Sequence, residues 1–285
     1  DQSEHNLYQI DKVLRKINKN VKILSVLGSC LDRNLIENVF SKYNIDIIYH
    51  AAAYKHVPIV EKNPIVGILN NVFSTLILSE NAFKFNIKQF VLISTDKAVR
   101  PANIMGASKR LSELIVQSYA DEARKDFKDT IFSSVRFGNV LGSSGSVIPL
   151  FSEQIKSGGP ITLTHENVTR YFMTIREAAM LVVQSSALAK GGDVFILDMG
   201  KPIKIKDLAE QMIHLSGLTV KDKENINGEI EISVTGLRDG EKLYEELLIG
   251  NSPQSTKHPL IFKANENFIP FSILEPKLSN LRKEL

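Results

Sequence analysis

The chain has 285 residues, with 35 Lys and Arg against 32 Asp and Glu, a formal charge of +3 and 43% hydrophobic content. That composition excludes disordered and fibrous classes and suffices for a continuous core in one large domain or two unequal ones. The near-balance of charge, with basic residues scattered along the chain, argues against a nucleic-acid partner.

The single cysteine, Cys30, excludes an intrachain disulfide. No Cys/His group has zinc spacing, so no metal is expected and a reducing compartment, the cytoplasm, is the default. No apolar run approaches the ~20 residues that cross a bilayer, so no span is expected in this chain. The opening Asp1-Gln2-Ser3-Glu4, without Met, reads as a processed, trimmed or partial chain.

In chain order, residues 21–28 (VKILSVLG) form a short apolar run ending at Gly and read as a strand. Residues 31–43 carry Leu35, Ile36, Val39 and Phe40 at helical spacing. Residues 46–50, 89–94 and 130–136 are further strand-like runs, separated by helical stretches at 63–85 and 105–125. This alternation predicts an α/β fold, a Rossmann-like parallel sheet with helices on both faces. Beyond 145 the pattern loosens: helices are expected at 147–156, 175–190, 204–216 and 240–248, with strands at 161–164, 193–198 and 229–235. The expected division is a first part over 1–145, with 193–200 returning to its sheet, and a smaller C-terminal α/β lobe over 146–285.

Ligands of open parallel sheets bind beyond the carboxyl ends of the strands. After the strand at 46–50 comes His50-Ala51-Ala52-Ala53-Tyr54-Lys55-His56-Val57, whose small side chains suit either a closely approaching cofactor or a packing corner. The strand at 89–94 leads into Ser94-Thr95-Asp96-Lys97, and Met105-Gly106-Ala107-Ser108-Lys109 opens the next helix. Met105 and Lys109 share a helix face, so two lysines, a carboxylate and two hydroxyls converge on one strand end. A surface ion pair at Asp96-Lys97 and a core-filling Met105 are the plainer readings. Asn70-Asn71 inside an apolar helix is locally unfavourable and calls for a reason. The run Arg136 to Ser146 (RFGNVLGSSGS) can present backbone N–H groups to a phosphate, or be a flexible loop. Arg170 and Arg238 have the guanidinium forks that match phosphate oxygens, or make surface ion pairs.

The motifs H-A-A-A-Y-K-H-V-P, S-T-D-K-A-V-R-P, M-G-A-S-K-R, R-F-G-N-V-L-G-S-S-G-S-V-I-P and G-L-R-D-G-E-K-L-Y-E-E, in this order, resemble an extended short-chain dehydrogenase/reductase. Met105 stands where that superfamily has the Tyr of Y-x-x-x-K. This narrows the resemblance to the large UDP-N-acetylglucosamine 4,6-dehydratases of bacterial polysaccharide biosynthesis, the CapD-like and WbpM-like group. The resemblance implies tightly bound NAD(P) and a nucleotide-sugar substrate, UDP-N-acetylglucosamine. It implies oxidation at sugar carbon 4, elimination of water across carbons 5 and 6, and hydride return to carbon 6, with configuration at carbon 5 retained.

By the same resemblance Asp96 is the acid for the departing hydroxyl and Lys97 the base at carbon 5, both with shifted pKa values. For Lys97 a partly buried cleft with neighbouring cations is expected to lower it. Met105 carries no proton, so Lys109, or a water held by Thr95 and Lys109, takes the carbon 4 proton. Cofactor contacts are expected from Asp1, Ala51, Ala52, Ala53, Lys55, Asn71, Ser94 and Lys109. Substrate contacts are expected from Lys55, Asn139, Ser146, Val147, Thr162, Arg170, Arg238 and Glu241. Relatives also suggest a homo-oligomer and a parent protein anchored to the inner membrane, this domain facing the cytoplasm.

The sequence departs from the superfamily in two places. It has no G-x-G-x-x-G turn for the cofactor pyrophosphate, and Ser29 follows Gly28 where many relatives place an Asp against adenine. The competing readings are a UDP-sugar epimerase on the same fold, or an inactive nucleotide-sugar-binding fragment.

Overall fold

The computed structural model describes residues 1–247 and 253–285. Ile47–His50, Gln89–Ile93, Ile131–Arg136 and Asp193–Leu197 lie side by side in that order, every neighbour parallel. Ile261–Ala264 adds antiparallel to Asp193–Leu197, and Gln254–Ser255 pairs antiparallel with Ile261–Ala264 to complete six strands. Phe90, Leu92, Phe132, Val135, Phe195 and Leu197 are fully buried, because helices cover both faces and the inner strands must be apolar on each. This is the Rossmann-like α/β layering that the alternation predicts.

On one face the helices Arg33–Lys42, Ser74–Lys84, Ile104–Lys125 and Phe271–Glu284 gather around Phe40, Phe73, Ile77, Phe90, Ile115 and Leu278. On the other, Ile175–Leu188 packs Leu181 and Val182 against Val91, Val135 and Phe195. A third core belongs to a smaller lobe. There Val147–Lys156 and Ile205–Leu215 cover three parallel strands, Val220–Lys221, Ile230–Val234 and Ile161–Leu163, around Phe151, Ile161, Leu163 and Ile213. Residues 254–285 build onto the large sheet and not onto this lobe.

Three elements differ from expectation. Residues 21–28 are not a strand: among the described residues they have no ladder partner, and Val21, Leu24 and Leu27 are exposed. Their backbone is tied instead to Asp1, whose N–H donates to the Val26 carbonyl at 3.1 Å and whose carbonyl accepts from Gly28 at 3.0 Å. An apolar run without a sheet neighbour cannot satisfy its backbone as a strand. Residues 241–247 are not helical either, because their polar groups bond outward: the Leu243 carbonyl accepts from Thr169 N–H at 3.2 Å, and Lys242 Nζ donates to the Val99 carbonyl at 2.8 Å. Leu248 lies outside the described residues. The helix expected over 63–85 is three pieces, Pro64–Ile68, a π-turn at Leu69–Phe73, and Ser74–Lys84. Among the described residues no helix is long and apolar enough to cross a membrane.

Candidate active site

The site forms where the parallel strands end. Past Ile93, Thr95 caps a single turn at Asp96–Ala98, its Oγ1 accepting from Lys97 N–H at 3.4 Å and donating to Asp96 Oδ1 at 2.8 Å. The Ile104–Lys125 helix begins beside this turn with Asn103 as N-cap, Oδ1 accepting from Gly106 N–H at 2.7 Å. Its first turns carry Met105 and Lys109, both buried, into the same space.

That space is a cavity of about 350 Å³, walled by Ala51, Ala53, Lys55, Ser94, Thr95, Lys97, Met105, Lys109, Asn139, Ser146 and Val147 among others. A second cavity of about 170 Å³, lined by Thr162, Arg170, Arg238 and Glu241, shares Asn139, Gly145, Ser146 and Val147 with the first. The two are halves of one cleft. Ser146 Oγ, on the shared wall, is buried with no hydrogen-bond partner among the described residues, an open donor and acceptor for a ligand.

Lys97 Nζ lies 3.0 Å from Asp96 Oδ1, 3.4 Å from Glu245 Oε1 and 3.5 Å from Asn139 Oδ1. Burial works to lower its pKa, but the carboxylates of Asp96 and Glu245 outweigh burial and Arg170, and the net shift is upward. The expected net lowering is therefore corrected: Arg170 does act to lower it, but the charged groups touching Nζ are the acids Asp96 and Glu245. Asp96 is fully buried and stands behind Lys97 and Thr95, outside the cavity lining. Lys109 has no such partner among the described residues, and burial brings it down to about 8 despite Glu113.

Other expected residues fall in different places. Asn71 does not line the cavity. Its amide clamps Tyr54, accepting from the Tyr54 N–H at 2.8 Å and donating to its carbonyl at 3.0 Å, with Ser108 Oγ at 2.9 Å. The π-turn around Asn70-Asn71 frees carbonyls that Ser74, Thr75 and Ser112 hydroxyls then satisfy. Ala52 and Asp1 are exposed and outside the lining, Asp1 holding Ser3 N–H at 2.8 Å. Ser94 lines the cavity, but its hydroxyl donates to Glu113 Oε1 at 2.6 Å. Lys55 Nζ donates to the Ser144 carbonyl at 3.0 Å, tying the Gly-Ser loop to the cleft. Gly145 in that loop has φ +66° and faces the His56 ring, where a Cβ would come within 2.5 Å. Arg170 donates to the carbonyls of Thr169 and Leu243 and to Glu241 Oε1 at 3.2 Å, and Glu241 also accepts from Thr164 Oγ1 at 2.9 Å. Arg238 is exposed; its backbone N–H donates to Glu241 Oε2 at 3.2 Å, and its guanidinium has no carboxylate partner among the described residues.

The family model described as polysaccharide biosynthesis protein matches residues 1–266. The chain belongs to this family. It is 46% identical to the capsular polysaccharide biosynthesis protein CapD of Staphylococcus aureus over 99% of this chain and 46% of that protein. It is 47% identical to the probable polysaccharide biosynthesis protein EpsC of Bacillus subtilis over 88% of this chain and 40% of that one. The chain thus spans less than half the length of these two relatives. Among solved structures, Pen from Bacillus thuringiensis superposes with a TM-score of 0.80 at 34% identity, covering 98% of this chain and 87% of that one. A dTDP-glucose 4,6-dehydratase from Streptomyces venezuelae, solved with NAD bound, shares the fold at 20% identity and TM-score 0.69, covering 83% of this chain and 74% of that one.

In this member of the family the residues fit the nicotinamide-ribose end of a dinucleotide. Lys109 presents a buried amine that has no hydrogen-bond partner among the described residues, and the small side chains of Ala51 and Ala53 line the same cavity. The residues that sequence reasoning missed are Glu245, which touches Lys97, and Glu113, which holds Ser94. Glu245 lies inside the last motif quoted above, but reading 240–248 as a helix hid its reach. Glu113 follows Lys109 by one helical turn, a charge on an inward face, and that was the available signal.

Proposed function

We propose that this chain carries the catalytic part of an NAD(P)-dependent enzyme that dehydrates UDP-N-acetylglucosamine to the 4-keto-6-deoxy sugar. One observation carries the reading: Lys97, hydrogen-bonded to a buried Asp96, shares a cavity wall with Lys109 and with Met105 in place of a phenol. An epimerase needs no acid–base pair for elimination, whereas a dehydratase needs both members together.

NAD(P), when bound, takes hydride from sugar carbon 4 and returns it to carbon 6. The residues of this chain handle the protons. The amine of Lys109 takes the carbon 4 hydroxyl proton, a role for which burial prepares it by bringing it to about 8. At rest, Asp96 and Lys97 form an ion pair with one proton between them. Moving that proton from Nζ to Oδ1 makes a neutral amine and a carboxylic acid in one step. The amine then removes the carbon 5 proton, which the carbon 4 ketone makes acidic. Asp96 delivers its proton through the Thr95 hydroxyl, 2.8 Å away and on the cavity wall, to the departing carbon 6 hydroxyl. Asp96 is then ionised and Lys97 charged. Lys97 gives its proton back to carbon 5 as the 6-deoxy product forms, on the face from which it came. The proton that Lys109 took from the carbon 4 hydroxyl recharges Lys97, which restores the pair and frees Lys109.

In the second cavity, Arg170 and Arg238 supply guanidinium groups for the diphosphate, and Glu241 and Thr162 supply polar groups for the nucleoside. Incubating the full-length protein carrying this sequence with UDP-N-acetylglucosamine and NAD or NADP tests the reading by mass spectrometry. Loss of one water, abolished in Lys97→Ala and Asp96→Asn, is the expected result. A mass-neutral product would make it an epimerase, and no conversion would sink the assignment.

A further inference from the structure

We propose that Glu245 is a positioning residue for Lys97: together with Asp96 it clamps the ammonium at the cleft wall and holds the proton there until substrate arrives. This deepens the dehydratase reading and rests on it only for the step that Lys97 performs.

Geometry supports the clamp from both sides. Glu245 Oε1 is 3.4 Å from Lys97 Nζ, and the Glu245 side chain is 3% exposed. Its Oε2 is buried without a hydrogen-bond partner among the described residues, and Asp96 Oδ2 is in the same condition. Each acid therefore presents one oxygen to the same ammonium and leaves the other bare. Two buried carboxylates beside one cation leave an excess of negative charge, which a deprotonated Lys97 would worsen.

Glu245 is also held firmly in place. Asn103 Nδ2 donates to the Gly240 carbonyl at 2.9 Å, and Lys242 Nζ donates to the Val99 carbonyl at 2.8 Å. Thr169 N–H and Arg170 Nη1 both donate to the Leu243 carbonyl at 3.2 Å, and Glu246 pairs with Arg100 at 3.0 Å. Residues 240–246 are thus a strap laid across the catalytic turn and fastened on either side of Glu245. The charged groups facing Lys97 are Asp96 from its own turn, Glu245 from the strap and Arg170 from the small lobe, whose charge opposes the two acids. Lys55, His56 and Lys109 share the cavity wall. Of these groups, Glu245 is the carboxylate whose removal changes the charge without touching the proposed Asp96–Thr95 proton route.

The test reads the charge state of Lys97 directly. In the full-length protein, acetic anhydride labelling of the Lys97 amine is followed against pH by peptide mass spectrometry, in wild type, Glu245→Gln and Glu245→Asp. Loss of an opposite charge at this range lowers an amine by about one pH unit or more, so Glu245→Gln is expected to label about tenfold faster at pH 9. Glu245→Asp, which keeps the charge, stays within about threefold of wild type by the same reasoning. A structural role alone would move the melting temperature of Glu245→Gln and leave the labelling profile unchanged, and that result overturns the proposal. The water-loss assay on the same samples separates the two claims. If the wild type forms no dehydrated product while the profile moves, the dehydratase reading fails and the clamp stands. If product forms and the profile stays, the clamp alone fails.

Discussion

Gly106 stands against the carbonyl of Lys97 so closely that a Cβ at position 106 would lie 2.2 Å from that oxygen. The helix carrying Met105 and Lys109 is thereby pressed onto the turn carrying Asp96 and Lys97, and the absence of a side chain sets the width of the cavity. In an exposed helix, Gly→Ala stabilises by about 1 kcal/mol. Here the neighbour is backbone and cannot rotate away, so Gly106→Ala is expected to destabilise by about 1–3 kcal/mol in urea unfolding. A variant as stable as wild type would show that the helix can retreat.

Arg136 sits at the centre of a buried ion cluster. Its guanidinium donates to Glu113 at 2.7 and 2.6 Å and to Glu266 Oε2 at 2.9 Å, and Arg110 reaches the same two carboxylates at 3.0 and 2.8 Å. Removing Arg136 leaves two buried carboxylates with Arg110 alone to balance them. Arg136→Met is expected to cost about 3–5 kcal/mol by chemical denaturation. Because Glu113 also holds the Ser94 hydroxyl, the same variant should loosen the end of the Gln89–Ile93 strand.

Lys109 gives a pH signature with a definite sign. Its folded value of about 8 lies below the ordinary 10.5, so the unfolded chain binds more protons between these limits. The stability tied to this amine is fully present above 10.5 and is lost as pH falls through about 8. Lys109→Met removes that penalty, so it should exceed wild type in stability at pH 7, with the advantage shrinking toward pH 10.5. Thermal unfolding of both proteins across this range is the check, and an advantage that does not vary with pH would contradict it.

Thr95→Val is expected to separate the two halves of the proposed elimination. Lys97 loses only the 3.4 Å cap on its N–H and keeps Asp96 and Glu245 at its Nζ, so exchange of the carbon 5 proton with deuterated solvent is expected to continue. The route from Asp96 to the departing hydroxyl is cut, and water loss should fall by about 10²–10⁴. Equal loss of exchange and elimination would place Thr95 outside the proton path.

How far the sequence revealed this molecule depended on whether an element's state was decided locally. Gln89–Ile93, Ile131–Arg136 and Asp193–Leu197 are legible as apolar runs because each is buried on both faces. Residues 21–28 look the same in sequence, yet a strand exists only beside another strand, and that information is not in the run itself. The interruption of the 63–85 helix was half visible, since Asn70-Asn71 was the misfit, but its use as a clamp on Tyr54 depends on a loop elsewhere in the chain. In the site, Thr95 to Lys109 could be read because a single strand end and the helix after it deliver them. Glu245 and Glu266 arrive from distant segments with no pattern that marks their destination.

The ion cluster also orders the assembly of the protein. Arg136 leaves the ribosome long before Glu266, and until that carboxylate emerges the guanidinium has only Glu113 to share with Arg110. The parallel strands can align early, but the charge beneath the end of the Gln89–Ile93 strand is balanced only when the segment after Ile261–Ala264 folds back. Nascent chains stalled before residue 266 lack both that carboxylate and the Phe271–Glu284 helix that closes one face of the core, and should therefore be captured by chaperones and proteases.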